Sequence, residues 1–514
     1  MRKSVLWIDN QIEYQRSLIM FLETRGFSIT PVTTSDEALE MLKDKRQDYD
    51  LVLLDKQMSD KDSLKTAEEI KLHNRDLPVV LVARMEEQQL EKTFKALIDG
   101  YLDKPVTAAP FLAVCKKLLP TRHAVSSRAS QNFMRDYSQI RTVLQKPLTT
   151  GEWAGVYEEL TRWDFQLKNV QNESIRQIHA GQKSDANAIF SGFYSENYLR
   201  WIHGASDAPL LTPDVLKTAV FPRAQEGEKI VLVVFDCMRL DQYMIVEHIL
   251  RKNFEITRMH SYSILPTSPA FTRYSLLSGL YPMDIENNYS GFWRADNPEI
   301  VTEEKIEEKL LIENLRNAGF GEQTTIFRTE KKFDEHNVIR ALQKGSIIPV
   351  LVNLSEITAL SQPFSLHPVV SDEDSRTMFA NRFNHSTIFR LLQTLNTQQC
   401  TVILTAGNGS VFCTRGTEIY GDSAEKMPHR YRFGESVSCD ERHALFVAEP
   451  HRFRLPSFSP ETTCVFLKEN YYFIASQKTE NTVGNNQNGW RYGGISMEEA
   501  IVPLAVLRPC GNKS

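Results

Sequence analysis

The sequence predicts an α/β protein of about three domains, and three observations carry that expectation. The chain has 514 residues, more than a single hydrophobic core can serve. Across residues 1 to about 120, short apolar runs alternate strictly with helical patterns, the signature of a doubly wound parallel sheet. Farther on, Ile230 to Phe235 form an unbroken apolar run. It is too short to span a membrane, rich in β-branched residues and preceded by the loop-like QEGEK, so it describes a buried strand of a second parallel sheet.

Composition narrows the function classes. A net charge of -5 and a pI near 6.2 argue against a nucleic-acid coat while leaving room for a local basic patch. The cysteines, Cys115, Cys237, Cys400, Cys413, Cys439, Cys464 and Cys510, are scattered, odd in number and never paired as CxxC. Neither a disulfide framework nor a zinc knuckle is indicated, and a reducing compartment fits. The N-terminus has no signal-peptide apolar region, and no stretch approaches about twenty apolar residues. The expectation is a soluble, cytoplasmic protein with no membrane partner.

In chain order, the first domain (1–120) runs SVLWI, a helix through Leu18, Ile19, Phe21 and Leu22, then FSITPV, a helix near Glu37 to Lys43, DLVLLD, PVVLVA and YLDKPV. Asp9, Asp55 and Lys104, with Pro105 behind it, fall at strand ends. The connector (121–228) opens with polar TRHAVSSRASQ and continues in helical patterns. Thr149 to Glu152, TTGE, fits a capping box. Its aromatics Trp153, Trp163, Phe165, Phe190, Tyr194, Tyr198 and Trp201 recur at helical spacing, which predicts the core of a small bundle rather than a base-stacking surface. Thr212 and Pro213 read as a fresh helix start.

The third domain (229–514) begins with the buried strand. Asp236 ends it, where ligands collect in open α/β sheets, although the same acid also suits a cap for the next helix. FEITRMHSYSIL is a second strand, broken at Pro266 and Thr267, and SPAFTRYSLLSGLYP reads as a helix closed by a glycine turn. A hydroxyl at a helix start, facing a strand-end acid, can present a nucleophile, because backbone N–H groups there favour an incoming phosphate. IIPVLVNL, CTVIL, HALFVA, TTCVFLK and YYFIAS read as further strands.

WIDN, LVLLDKQMSDKD and YLDKPV together resemble the flavodoxin-like receiver domain of two-component response regulators. The resemblance implies that Asp55 accepts a phosphoryl group from a histidine kinase, that Asp9 and Asn10 stand at the Mg²⁺ site, and that Lys104 contacts the phosphoryl oxygens. Asn10 and Gln11 replace a usual acid, so Mg²⁺ binds more weakly, and Ala83 stands where a switching Ser or Thr is usual. FDCMRLD, LPTSPAFTRYSLLSGLYP and GGISMEEAIVPLAVL resemble the PglZ domain of the alkaline phosphatase superfamily. Receiver, helical bundle and PglZ domain in that order resemble the PorX-type response regulators linked to type IX secretion, which carry no DNA-binding output domain.

For that family the resemblance implies a zinc-dependent phosphodiesterase acting on cyclic or linear oligonucleotides. By match, Asp236 is the first metal acid and Thr267 the nucleophile, with Ser268 and Thr272 as alternative placements. Glu356 stands where an aspartate is expected and Leu360 where a histidine is. Gly407, Asn408 and Gly409 replace Asp-His-Gly, and Tyr492 replaces the last histidine. Asp236, Thr267 and Glu356 remain, with Asn408 as a weak donor; such an all-oxygen set suits Mg²⁺ better than Zn²⁺. His367, His385, His429 and His443 have no second ligand at a metal spacing. The expectation is therefore a phosphorelay regulator whose degenerate PglZ domain serves as an interaction or ligand-binding module. Its partners would be a histidine kinase, a sigma factor or a PorX-type protein, and it would form a homodimer. Two alternatives stay open: an active metal-dependent phosphodiesterase controlled by Asp55 phosphorylation, and a nucleotide-binding sensor without turnover.

Overall fold

The computed structural model describes residues 3–510 apart from 44–48, 59–61, 75–76, 85–96, 120–121, 168–172, 290–302, 322–324, 330–332, 354–371, 399, 422–428, 458 and 476–487. Two compact units divide the chain, Met1–Asn132 and Phe133–Ser514.

In the first unit, β1 (Lys3–Ile8), α1 (Arg16–Thr24), β2 (Phe27–Val32), α2 (Ser35–Lys43), β3 (Leu51–Asp55), α3 (Ser63–His73), β4 (Val79–Ala83), β5 (Gly100–Asp103) and α4 (Ala108–Leu118) follow one another. The sheet order is β2-β1-β3-β4-β5, all parallel. Every residue of β3 and β4 is buried, as an apolar run covered by helices on both faces requires. Alternate side chains divide between two cores. Val5, Trp7, Leu51 and Leu53 meet Phe111 of α4 on one face, and Leu6, Ile8, Val52 and Leu54 meet Ala67 and Ile70 of α3 on the other. The strand order reverses between β1 and β3, the point where this architecture gathers ligands.

The helix α5 (Arg122–Val143) spans the division. The second unit then contains α6 (Thr150–Gln166) and α7 (Glu173–Trp201). Thr149 and Glu152 close the expected capping box, with Glu152 N–H donating to Thr149 Oγ1 at 3.3 Å and Thr149 N–H to the Glu152 carboxylate at 2.8 Å. Trp153, Phe190, Tyr194, Tyr198 and Trp201 are buried in one core with Val231, Val233 and Phe235. The connector helices from Phe133 onward thus share a unit with the C-terminal sheet, because their aromatic faces need that sheet as a partner. A helical run begins at Thr212, as expected, with a 3₁₀ turn (Thr212–Asp214) and ends in a short helix (Phe221–Gln225), but the Thr212 hydroxyl does not cap it and accepts instead from Ile264 N–H at 3.2 Å.

The sheet of this unit uses β6 (Ile230–Phe235), β7 (Phe254–Tyr262), β8 (Phe327–Arg328), β9 (Ile347–Val352), β10 (Thr401–Ala406) and β19 (Ile501–Pro509) in the order β7-β19-β10-β6-β9-β8. β6 lies parallel between β10 and β9, whereas β19 pairs antiparallel with both β10 and β7; the sheet is mixed rather than purely parallel. Interleaved in the chain are α8 (Leu240–Leu250), α9 (Pro269–Ser278), α10 (Glu303–Asn317), α11 (Glu335–Lys344), α12 (Asp372–Phe383) and α13 (Thr387–Leu395). The glycine turn closing α9 is Gly279, at φ +71°, a left-handed conformation that favours glycine. Small sheets from β11 (Val411–Cys413), β12 (Arg415–Tyr420), β13 (Tyr431–Glu435), β14 (Ser438–Cys439), β15 (Ala444–Val447), β16 (Thr462–Leu467), β17 (Tyr471–Ala475) and β18 (Gly489–Arg491) lie between β10 and β19 in sequence. No helix among the described residues is long and apolar enough to cross a membrane.

Candidate functional site

The receiver-type site lies at the strand-order reversal of the first unit. β1 and β3 deliver Asp9 and Asp55, 2% and 1% exposed, and the loop after β5 delivers Lys104. The Lys104 ammonium lies 2.5 Å from Asp55 Oδ2 and 3.9 Å from Asp9 Oδ2. Each carboxylate is also held from its own loop, Asp55 by Gln57 N–H at 3.1 Å and Asp9 by Gln11 N–H at 2.8 Å. Burial pushes the Asp9 carboxyl above its ordinary range; Gln11 N–H opposes this, the Asp55 charge adds to it, and Lys104 opposes it. Asn10 does not join the carboxylates: its amide donates to Gln57 O at 3.2 Å and ties the two loops together. Ala83, buried at the end of β4, offers no hydroxyl. Two buried acids share one lysine, so an oxygen-seeking divalent cation is the charge this site can still take up, and the donors fit Mg²⁺.

The second site gathers around the end of β6. Both Asp236 oxygens accept from Arg273 Nη1 of α9, at 2.9 and 3.1 Å. Arg273 Nε lies 2.5 Å from Glu307 of α10, and Glu307, 2% exposed, also pairs with Arg328 of β8. The charges therefore alternate, acid, base, acid, base. Burial works against the Arg273 guanidinium, but Asp236 and Glu307 outweigh it and hold its pKa up. Thr267 is fully buried, and its hydroxyl donates to Gly494 O at 2.8 Å and accepts from Gly493 N–H at 3.1 Å. Behind that glycine turn, Gly494 N–H donates to Glu499 at 2.9 Å, and Glu499 forms a wholly buried ion pair with Arg430. Burial pushes the Glu499 carboxyl up, and Arg430 foremost opposes it. Arg430 also donates to the carbonyls of Lys468 and Glu469, both at 2.8 Å. Sequence reading picks out neither Arg273 nor the Arg430–Glu499 pair.

Of the alternative placements, Ser268 meets the Tyr431 hydroxyl, and Thr272 Oγ1 donates to Asn408 Oδ1 at 2.9 Å. The Asn408 amide donates in turn to Gly409 O at 2.8 Å and toward Cys237 Sγ at 3.4 Å. Cys237 follows Asp236 in a left-handed conformation, φ 55°.

Comparison with known proteins fits this arrangement. The family described as the BREX system PglZ alkaline phosphatase-like domain matches residues 215–507, more than half of the chain. The chain belongs to the PglZ family. Ahead of the PglZ domain, the response regulator receiver domain matches residues 5–116 and the PorX response regulator linker domain 123–202, so the whole is a PorX-type response regulator. The transcriptional regulatory protein SrrA of Staphylococcus aureus is 25% identical over 141 residues, 27% of this chain and 58% of SrrA. The chain thus spans little more than half the length of the curated relatives it matches. Among solved structures, a two-component response regulator from Clostridium difficile is 27% identical over 23% of this chain and 96% of its own, with a TM-score of 0.21. The response regulator TrrA of Thermotoga maritima, in complex with Mg²⁺-BeF, is 26% identical over 23% and 99%, also with a TM-score of 0.21.

In this PglZ domain the positions expected to ligate zinc are filled by packing. A Cβ on Gly407 would lie 2.6 Å from Thr272 Oγ1, and one on Gly409 would lie 1.9 Å from Glu498 O; no acid enters at Gly407 without moving α9. Tyr492, in the place of a histidine, has its phenol pushed up by burial and by neighbouring Cys237, Tyr431 and Asp236. His429 stacks on Tyr431 and meets Tyr492 at a tilt, each at 5.3 Å between ring centres, and burial lowers its pKa. The fold brings this histidine to the site by a route that sequence spacing did not reveal. His443 stacks at 4.0 Å on Tyr471 instead, and the backbone N–H of His385 donates to Arg382 O at 3.0 Å. Glu356, Leu360 and His367 lie outside the described residues. Among the described residues no three His, Cys, Asp or Glu side chains are grouped to hold a metal. With Asp236 bound to Arg273 and Thr267 bound to the glycine turn, these residues do not fit a two-zinc centre.

Proposed function

We propose that the protein is a phosphorelay response regulator in which Asp55 accepts a phosphoryl group and the PglZ domain reports that state by binding a partner rather than by hydrolysis. The observation that carries this reading is a contrast between the two sites. At the first, Asp55 faces a lysine that can neutralise phosphoryl oxygens; at the second, the polar groups are hydrogen-bonded to one another. At the receiver site, a carboxylate oxygen of Asp55 attacks phosphorus as the P–N bond of the kinase's phosphohistidine breaks and the imidazole leaves with the electron pair and takes up a proton, while Lys104 shifts onto the transferred oxygens. Asp9 and Asp55 would hold Mg²⁺, which screens the remaining charge when bound. With no hydroxyl at Ala83, the switch runs through Lys104 and the loops joined by Asn10. The phosphoryl donor is a histidine kinase. The partners are a sigma factor or a PorX-type protein in a regulatory path of the type IX secretion kind, and the protein acts as a cytoplasmic homodimer.

Radiolabelled acetyl phosphate with Mg²⁺ tests the first half: wild-type protein takes up label and Asp55→Ala does not. An unlabelled wild type ends the reading. Elemental analysis and hydrolysis of bis(p-nitrophenyl) phosphate test the second half. Stoichiometric zinc together with turnover lost in Thr267→Ala would establish the alternative, an active phosphodiesterase.

A further inference from the structure

A cavity of about 520 Å³ opens away from both sites, between α6, α8 and α12. Phe165, Met244, Ile245, Ile249 and Ala380 supply its apolar wall, and Arg376 and Asp164 are among its polar lining. A second cavity of about 310 Å³ shares Asp164 and Arg376 with it, so these two residues form the partition.

Among the described residues, the ion pairs around that partition leave Arg376 without a direct hydrogen bond. Asp164 is met by Lys183 at 2.9 Å and His179 at 2.8 Å. Asp241 is met by both arms of Arg239, at 2.9 and 3.0 Å. Arg376 lies 3.9 Å from Asp164 and 3.6 Å from Asp241, beyond hydrogen-bonding distance from either. Its guanidinium sits 5.7 Å above the Phe165 ring and, among the described residues, makes no hydrogen bond, although the side chain is only 12% exposed. A guanidinium carries five N–H donors in a fork that matches a carboxylate. Arg376 is thus held by Asp164 and Asp241 only at longer range, each of these acids having a closer cationic partner.

We propose that this cavity binds a carboxylate-headed amphiphile, its head on the Arg376 guanidinium and its apolar chain against Phe165, Met244, Ile245, Ile249 and Ala380. The volume lies within the range of small-molecule sites, which combine an apolar wall with a few convergent polar groups. The ligand bridges the linker, through α6, and the PglZ domain, through α8 and α12. Nothing in this assignment depends on Asp55 or on Asp236.

Calorimetry on the full-length protein with decanoate, decanol and acetate separates head from chain. The expected result is saturable one-to-one decanoate binding, with decanol and acetate each weaker by about tenfold or more. Arg376→Gln and Ala380→Trp, which fills the cavity, each weaken decanoate by a similar factor, and thermal unfolding verifies that each variant is folded. Should Arg376→Gln fail to fold, Ala380→Trp and the decanol comparison decide. Absence of saturable decanoate binding, equal affinity for decanol, or binding unchanged in a folded variant overturns the proposal.

Discussion

Arg430 and Glu499 are both completely buried and joined by an ion pair. Glu499→Gln would leave the guanidinium buried without its counter-charge, and the expected loss is about 3 to 5 kcal/mol, read from denaturant unfolding. Glu158 of α6 is a milder case. It lies 3.0 Å from both Arg258 and His260 of β7. Burial would raise its carboxyl, but the hydrogen bonds from His260 and Arg258 win and hold it down at about 2. A depressed acid stabilises the fold above its unfolded value, and that contribution is lost as pH falls from there through about 2. Melting temperature should therefore fall between pH 5 and pH 3 more in the wild type than in Glu158→Gln. Asp9, Asp55 and Lys104 are legible in the sequence because each ends a strand, and strand ends meet at one edge of a parallel sheet. Arg273 and Glu307 are not legible, because their pairing is made by two helices crossing in space and neither position carries a local pattern.

Elements are legible where the pattern is local. The capping box at Thr149 is visible from four residues, and Thr149→Ala should cost about 1 kcal/mol, measured by chemical denaturation. The unbroken apolar runs of β3, β6 and β10 declare burial on both faces without any need to know the neighbours. What lies beside a strand is another matter. β19 reads as one more apolar run, yet it pairs antiparallel with β10 and β7, because direction is set by which edge the returning chain can reach. Thr212 is legible in part: a helical run does begin at its Thr-Pro pair, but the hydroxyl is taken by Ile264 N–H rather than used as a cap.

At the scale of the molecule, the linker helices from Phe133 onward belong to one compact unit with the PglZ sheet. A composition boundary near residue 228 is visible as a loop; the aromatic packing across it is not. Tyr194 donates to Ser263 O, and Tyr198 accepts from Leu265 N–H at 2.9 Å, so α7 supports the segment that carries Thr267. A fragment of residues 133–514 should unfold in one cooperative transition. A fragment of residues 229–514, stripped of α6 and α7, should bind hydrophobic dye and resist concentration, which light scattering would register.

The position of β19 has a consequence for how the protein is made. In the order β7-β19-β10-β6-β9-β8, the latest of these six strands in sequence, β19, fills the gap between β7 and β10. Until residues 501–509 leave the ribosome, β7 has no ladder partner and β10 presents a raw edge, both open to another chain. Nascent chains stalled before residue 501 should therefore stay protease-sensitive throughout this unit, whereas the strands of the first unit, complete by residue 103, should already resist digestion. A receiver sheet complete by residue 103 would then stay attached to an unfinished sheet until residues 501–509 emerge.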